Sequence, residues 1–242
     1  MRISSKTDIG LVRLSNQDTY STGELPGNAV YAAVCDGMGG AAGGNIASET
    51  AVRIISEQLT VCYREGMGSN SIKNMLCSAM EAANIGIYDL ANSIDGLKGM
   101  GTTAVVVLLS GSTAHVVHSG DSRAYLVRNS ELTQITKDHS VVQTMVDRGD
   151  ISPDAAQAHP NKNVITSALG VDSHVDIDYN EVHVGRGESV LICTDGLTNY
   201  VSDEKIFETL TLFEFYEYPD RLIELAFAGG GGDNVTVVVI AE

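Results

Sequence analysis

The chain has few of the residues that mark nucleic-acid-binding or membrane-spanning proteins. It carries 15 Lys and Arg against 31 Asp and Glu, a net charge of −16 at pH 7, which repels nucleic-acid phosphates and anionic membranes. Its longest apolar runs, 104–109 and 235–241, are far too short to span a bilayer, and the N-terminus leads into polar residues rather than an apolar leader. The sequence therefore predicts a cytoplasmic chain with no nucleic-acid partner and no stable membrane association.

Cysteine and proline are scarce as well, at four residues each. The cysteines form no CxxC pair and lie in apolar or helix-like stretches, which favours reduced thiols that fill the core over a disulfide framework. Cys35 and Cys193 each lie within two residues of an aspartate, so a redox-sensitive site is the alternative. No Pro- or Ser-rich linker and no repeat divides the chain, so we expect residues 1–242 to form one domain.

The apolar residues that are present form short runs rich in Val, Ile, Thr and Tyr, together with longer segments of helical periodicity. Two long consecutive helices between runs of strands favour an α+β fold, with stacked antiparallel sheets covered by helices. The predicted strands are 29–35, 103–109, 113–118, 123–128, 175–182, 189–194 and 234–240, and the predicted helices are 45–58, 72–92, 141–149, 203–212 and 219–228.

Residues 138–168 are more polar and contain several turn signals around one short helix. Loops of this length are often functional, so the segment is either a mobile flap or an ordinary connection.

Four aspartates stand where predicted strands begin or end: Asp36, Asp121, Asp195 and Asp233. Any one alone is best explained as a turn residue. If they converge, each pair about 5 Å apart repels by roughly 3 kcal/mol at an effective dielectric of 20, so cations must offset the charge. Oxygen ligands select Mg²⁺ or Mn²⁺. Zinc is disfavoured, because His115 and His118 are three apart on a strand and face opposite sides.

Two further features accompany the aspartates. Arg13, five residues before Asp18, is a candidate phosphate clamp, although alone it would be read as a surface ion-pair residue. The glycine-rich stretch 36–44 lacks the Lys and Ser/Thr of a P-loop, so its glycines, like those at 229–232, are interpreted as allowing close approach to a metal.

In order along the chain, these motifs closely resemble the metal-dependent (type 2C) protein serine/threonine phosphatases, in the compact form typical of the bacterial soluble branch. The matching motifs are Arg13-x-x-Asn16-Gln17-Asp18, Val34-Cys35-Asp36-Gly37-Met38-Gly39-Gly40, Gly99-Met100-Gly101-Thr102-Thr103, Ser119-Gly120-Asp121-Ser122-Arg123, Asp138-His139-Ser140, Ala168-Leu169-Gly170, Cys193-Thr194-Asp195-Gly196-Leu197 and Gly232-Asp233-Asn234-Val235-Thr236-Val237.

The resemblance implies a central β-sandwich of two antiparallel sheets flanked by α-helices (αββα), with two to three Mg²⁺ or Mn²⁺ ions in a cleft at one edge. It implies that a hydroxide bridging the metals attacks phosphoserine or phosphothreonine in phosphorylated proteins, opposing a bacterial, membrane-bound Ser/Thr kinase. The implied site residues are Asp36, the Gly37 carbonyl, Asp195 and Asp233 as metal ligands, Asp18 on metal-bound water, Asp121 with Asp195 at a third metal, and Arg13 on the phosphate.

The chain departs from the family where many members carry a histidine proposed as the general acid, since Met38 and Ala41 stand there. Protonation of the leaving group would then fall to metal-bound water, to His139 of the 138–168 segment, or to nothing when the leaving group is acidic. Gln17 replaces a frequent Glu, which leaves outer contacts to water open.

Three other functions are alternatives to this prediction. A phosphatase of anti-sigma-factor antagonists shares the fold but usually carries sensor domains. A catalytically dead binding module is disfavoured because the five aspartates are present, and a two-metal nuclease conflicts with the acidic charge. The sequence favours a monomer with transient interactions and leaves the physiological substrate open.

Overall fold

A computed structural model describes residues 1–128 and 131–242, apart from the side chains of residues 41 and 42. Two antiparallel sheets pack face to face. The first has the strand order β1-β11-β10-β7-β8 and the second the order β2-β3-β5-β6-β9, with β4 paired to β3 alone. The strands are β1 (Arg2–Asp8), β2 (Asp18–Leu25), β3 (Ala29–Met38), β4 (Gly101–Thr102), β5 (Ala104–Ser110), β6 (Thr113–Ser119), β7 (Arg123–Val127), β8 (Leu132–Gln134), β9 (Asp178–His183), β10 (Ser189–Cys193) and β11 (Val235–Ala241).

Helices cover the outer face of each sheet, which confirms the predicted α+β sandwich. Small and β-branched side chains of both sheets fill the space between them. The two long helices pack on the second sheet, and the later helices pack on the first. The helices are α1 (Gly40–Cys62), α2 (Ser69–Ser93), α3 (Val141–Asp147), α4 (Pro153–Gln157), α5 (Asp195–Thr198), α6 (Asp203–Leu212) and α7 (Tyr218–Ala228), with short 3₁₀ turns at Pro26–Asn28 and Phe215–Glu217.

The sequence-based element bounds were wrong mainly at the sheet edges. Strands β1, β2, β4 and β8 were not predicted, and β9 begins at Asp178 rather than at residue 175. The first helix extends from Gly40 to Cys62 instead of 45–58, because the glycine-rich stretch is already helical. Within the described residues, the helices are all too short or too polar to cross a bilayer.

The 138–168 segment is tied at its base to the sandwich. Ser140 bridges Ile165, and the amides of Val141 and Thr166 donate to the carbonyls of Val164 and His139. Helices α3 and α4 are capped at their N-termini by Ser140 and Ser152, whose side chains accept a backbone N–H three residues on. The segment is therefore folded, and its last residues return to the edge of the sandwich.

The four cysteines are free thiols. The prediction that all of them fill the core is wrong for Cys62, which is exposed near the end of α1. Cys35 and Cys193 are fully buried, and burial raises the pKa of both, that of Cys193 to about 12. A protonated, buried thiol is a poor nucleophile, so the structure favours the core interpretation over a redox-sensitive site.

Candidate metal and phosphate site

The five predicted aspartates converge at one edge of the sandwich. Asp36 lies near the end of β3, directly opposite Asp18 at the start of β2. Asp121 follows β6, Asp195 opens α5 after β10, and Asp233 precedes β11. They surround a cleft of about 780 Å³ that is lined by all of them except Asp18, which is buried behind it. Strand ends of both sheets thus bring together carboxylates up to 215 residues apart in the sequence.

The carboxylates raise each other's pKa. Burial is the largest cause for Asp36, whose pKa lies well above its ordinary value, and the charges of the four other aspartates add to it. Burial also raises the pKa of Asp18 and of Asp121 to about 7 each, with the charge of Asp195 contributing to both. Charges held together in this way at neutral pH require a compensating positive charge.

Two carboxylate oxygens in the cluster lack any hydrogen-bond partner among the described residues. Asp18 accepts hydrogen bonds at Oδ2 from the hydroxyls of Thr194 (2.8 Å) and Thr236 (2.7 Å), whereas its Oδ1 is buried and unpaired. Asp195 accepts at Oδ2 from Asn199 Nδ2 (2.8 Å), and its Oδ1 is again buried and unpaired. Unpaired anionic oxygens in an all-oxygen cluster fit hard divalent cations such as Mg²⁺ and Mn²⁺.

Arg13 reaches into the same cleft. One of its terminal nitrogens lies 2.8 Å from Asp233 Oδ2, and about half of the side chain is exposed (51%). A guanidinium has five N–H donors, so most of them remain available to a ligand in the cleft. The position suits an oxyanion that lies beside the carboxylates.

Asn234 fixes the loop that carries Arg13. Its Nδ2 donates to the carbonyls of Ile9 and Ser15, and its Oδ1 accepts from the amide of Gln17. The anchoring role of Asn234 was not predicted from the sequence. The sequence does contain a signal for it, because Asn234 lies in the family motif 232–237. The two threonines that hold Asp18 also lie in family motifs.

The glycine-rich stretch packs against backbone. A Cβ at Gly37 would collide with the carbonyl oxygen of Gly44, so only glycine allows β3 to approach the start of α1 this closely. Gln17 Nε2 donates to the Gly40 carbonyl (2.8 Å), so its amide braces this stretch. Gly37 and Met38 line the cleft. The side chain of Ala41 lies outside the described residues.

Two expectations receive no support from the geometry. The glycines at 229–232 do not line the cleft, and Gly229 and Gly232 instead pack against Tyr200. His139 is also outside the cleft lining, because its Nε2 lies 3.2 Å from Asp178 Oδ2 at the far edge of the second sheet. A histidine acid from the 138–168 segment is therefore not in place; Asn163 and Ile165 are the members of that segment that face the cleft.

A second groove of about 690 Å³ adjoins the cleft and shares Asp121 and Asp195 with it. On its wall, Arg123 forms a two-pronged ion pair with Asp138 (2.7 Å at the shortest), and Gln134 also donates to that carboxylate. The Asp138-His139-Ser140 motif thus contributes an internal brace and a helix cap rather than cleft ligands.

Comparison with known proteins agrees with this geometry. The family described as "Protein phosphatase 2C" matches residues 12–221, so the chain belongs to the protein phosphatase 2C family. The serine/threonine protein phosphatase PstP of Mycobacterium tuberculosis is 40% identical over 240 residues, which are 99% of this chain and 44% of PstP. The serine/threonine phosphatase of Listeria monocytogenes is 36% identical over 244 residues, covering 99% of this chain and 95% of that protein. The chain thus spans less than half of PstP but nearly all of the Listeria protein.

Solved structures show the same fold. The M. tuberculosis PstP structure superimposes with a TM-score of 0.89 at 40% identity, covering 98% of this chain and 97% of that one. The S. agalactiae serine/threonine phosphatase gives 0.92 at 35% identity, covering 100% and 99%. A further structure, the PstP catalytic domain in complex with two manganese ions, gives 0.84 at 39% identity, covering 98% and 96%.

Proposed function

We propose that this chain is a metal-dependent protein phosphatase that hydrolyses phosphoserine and phosphothreonine in proteins. The observation that carries the proposal is the group of five converging aspartates with two unpaired, buried oxygens, beside a half-exposed arginine. An anionic cluster alone would repel a phosphate, so phosphate binding here requires cations between the carboxylates and the phosphate. Family membership and the named phosphatase relatives support the same reaction.

The cofactors we propose are two to three Mg²⁺ or Mn²⁺ ions. Asp36, the Gly37 carbonyl, Asp195 and Asp233 would hold two of them, and Asp121 with Asp195 would hold the third. When bound, such ions lower the pKa of water and neutralise charge on phosphate oxygens. The structure of the PstP catalytic domain with two manganese ions supports the pair. The third site has the fewest protein ligands and should be the weakest.

Each protein group then has a task of its own. Arg13 orients the phosphate and stabilises its equatorial oxygens through the N–H donors that Asp233 does not use. Asp18, held at Oδ2 by two threonine hydroxyls, keeps Oδ1 free to accept a proton or a hydrogen bond from water in the cluster.

No histidine is placed to protonate the leaving group within the cleft lining that the structure describes. We therefore expect a larger rate penalty for alkyl than for aryl phosphates, since an aryl leaving group is acidic enough to depart unprotonated. Comparing kcat/KM for a phosphothreonine peptide and an aryl phosphate across pH checks this. If kcat/KM for the two substrates depends equally on pH, a general acid is present in the cleft.

For the wider setting, we propose a single catalytic domain over residues 1–242, acting as a monomer in the cytoplasm on phosphoproteins and opposing a membrane Ser/Thr kinase. The acidic net charge supports transient rather than stable association with acidic partners.

The deciding experiment measures phosphate release from a phosphothreonine peptide by wild type and Asp36→Asn, each with Mn²⁺ and with chelator. Asp95→Asn, on an exposed aspartate between α2 and β4, is the matched control. We expect release only with metal, retained by the control and lost in Asp36→Asn. No release from folded, metal-loaded wild type would contradict the proposal and favour a binding module.

A further inference from the structure

A second group of metal-binding side chains lies outside the acidic cleft, at the edge of the second sheet. His118 on β6 stands directly opposite Asp178 on β9, and His139 approaches from the segment that follows β8. One ring nitrogen of each histidine and one carboxylate oxygen lie within 4.8 Å of one another. This His118–His139–Asp178 group was not predicted, because it depends on the register between two strands 60 residues apart.

His118 gives the strongest evidence that this group binds a ligand. It is completely buried, and its Nε2 lies 2.8 Å from the carbonyl oxygen of Lys137. A carbonyl can only accept, so Nε2 carries the ring proton and Nδ1 has the lone pair. Nδ1 is buried with no hydrogen-bond partner in the described chain. An unpaired buried acceptor costs about 1–3 kcal/mol, which calls for a ligand.

The surroundings match those of a metal-binding imidazole. Metal-ligating histidines usually donate their second ring N–H to a carbonyl or carboxylate, as His118 does to Lys137. Burial lowers the pKa of His118, which keeps the ring in the neutral form that a metal requires.

The spacing of the other two groups is also suitable. Two ligands about 2.0 Å from a tetrahedral zinc ion lie about 3.3 Å apart. His139 Nε2 and Asp178 Oδ2 lie 3.2 Å apart. Asp178 is about half exposed (53%), which leaves a path for an ion from solvent.

We propose that His118 Nδ1, His139 Nε2 and the Asp178 carboxylate bind one divalent transition-metal ion, with Zn²⁺ preferred, separately from the Mg²⁺ or Mn²⁺ of the acidic cleft. Nitrogen ligands discriminate against Mg²⁺, so the two sites select different ions. The fourth position is left to water.

Binding there would be transmitted toward the acidic cleft. His139 Nδ1 accepts a long hydrogen bond (3.4 Å) from the amide of Gly120, the residue before Asp121. Coordination through Nε2 moves the proton of the neutral ring to Nδ1, which ends that contact. Zn²⁺ would therefore join β6, β9 and the start of the 138–168 segment and release the Gly120 amide.

The test is equilibrium dialysis of Zn²⁺ against folded protein in saturating Mg²⁺, which occupies the oxygen sites. At Zn²⁺ concentrations that fill the proposed site, wild type should bind one more Zn²⁺ than Asp178→Asn or His139→Gln. In either variant the affinity of that site for Zn²⁺ should be at least about a hundredfold weaker. Asp176→Asn and His183→Gln, on exposed residues flanking Asp178, are matched controls that should behave as wild type.

Co²⁺ supplies a second readout, because its visible absorption is strong in a four-coordinate tetrahedral site and weak in an octahedral oxygen site. The band should appear in wild type and both controls and be absent in both variants. Both variants alter groups at or near the surface, so the test does not depend on replacing the buried His118. Equal Zn²⁺ binding by wild type and both variants would overturn the proposal, and full retention by Asp178→Asn alone would overturn the three-ligand site.

Discussion

A single carboxylate, Asp138, lies beside the cluster of aspartates in the acidic cleft, and the two differ in how their negative charge is compensated. Asp138 accepts hydrogen bonds from the Arg123 guanidinium and the Gln134 amide, so its charge is fully paired. Asp36 faces other aspartates across the cleft, and Asp18 and Asp195 each keep one unpaired buried oxygen.

The contrast separates a structural role from a functional one. A paired buried charge holds the fold, and removing its partner leaves the other charge uncompensated. Unpaired like charges oppose folding, so a chain that retains them gives up stability for an ion-binding site. Neighbouring aspartates of one protein thus have opposite effects on the free energy of unfolding.

The largest effect we expect is from Asp36→Asn in the acidic cleft. Removing this carboxylate should lower phosphate release at least about a thousandfold, since the cations it helps to hold supply most of the charge stabilisation. The metal-free variant should melt higher than metal-free wild type, because one repelling charge is gone. Calorimetry beside the peptide assay checks both, and a lower melting temperature in the variant would contradict the contrast.

Asp138→Asn should lower stability but leave metal-dependent activity nearly unchanged, the opposite of Asp36→Asn. Loss of the ion pair leaves the Arg123 guanidinium without its anion and should lower the free energy of unfolding by about 3 kcal/mol, with or without metal. The Mn²⁺ concentration for half-maximal activity should remain within about threefold of wild type. Denaturant unfolding measures the first quantity, with Asp150→Asn, on an exposed aspartate of the same segment, as the control. A large change in the Mn²⁺ midpoint would show that the two groups are not independent.

The smallest effect concerns the hydroxyls that hold Asp18. Thr236→Val keeps the shape of the side chain but removes a hydrogen-bond donor to Asp18 Oδ2. The loss should weaken the free energy of Mn²⁺ binding by about 1 kcal/mol, so that half-saturation needs a several-fold higher Mn²⁺ concentration. Thr236→Ser should restore the midpoint, because the hydroxyl returns. Isothermal titration with Mn²⁺ measures the midpoint for each of the two variants. If Thr236→Ser does not restore the wild-type midpoint, Thr236 acts through packing instead.

The sequence was informative where strands are buried on both faces. All six interior strands of the two sheets were predicted, since burial makes them continuous apolar runs. The edge strands β1, β2 and β8 were missed and β9 was misplaced, because one face of an edge strand is polar and exposed. The short-range pattern of such a strand resembles a loop.

The same division applies to the candidate site. The aspartates could be found from the sequence because each follows or precedes a readable strand and belongs to a motif. The residues that support the aspartates could not be found from the sequence. Asn234 donates to the carbonyl of Ile9, and Thr236 donates to Asp18, in each case from more than 200 residues away. His139, one of three predicted ways to protonate the leaving group, instead lies against Asp178. Such contacts depend on packing rather than on local pattern.

The most direct test of the unpaired-carboxylate interpretation is the melting temperature of the protein between pH 5 and pH 8, without metal and with Mn²⁺. Asp18 and Asp121 have folded-state pKa values of about 7, above the ordinary 3.8, so the folded state binds more protons in this range. Metal-free stability should therefore fall as pH rises through about 7. Mn²⁺, which binds the ionised carboxylates, should remove or reverse that fall. A metal-free melting temperature that does not change with pH, or that Mn²⁺ does not raise at pH 8, would contradict it.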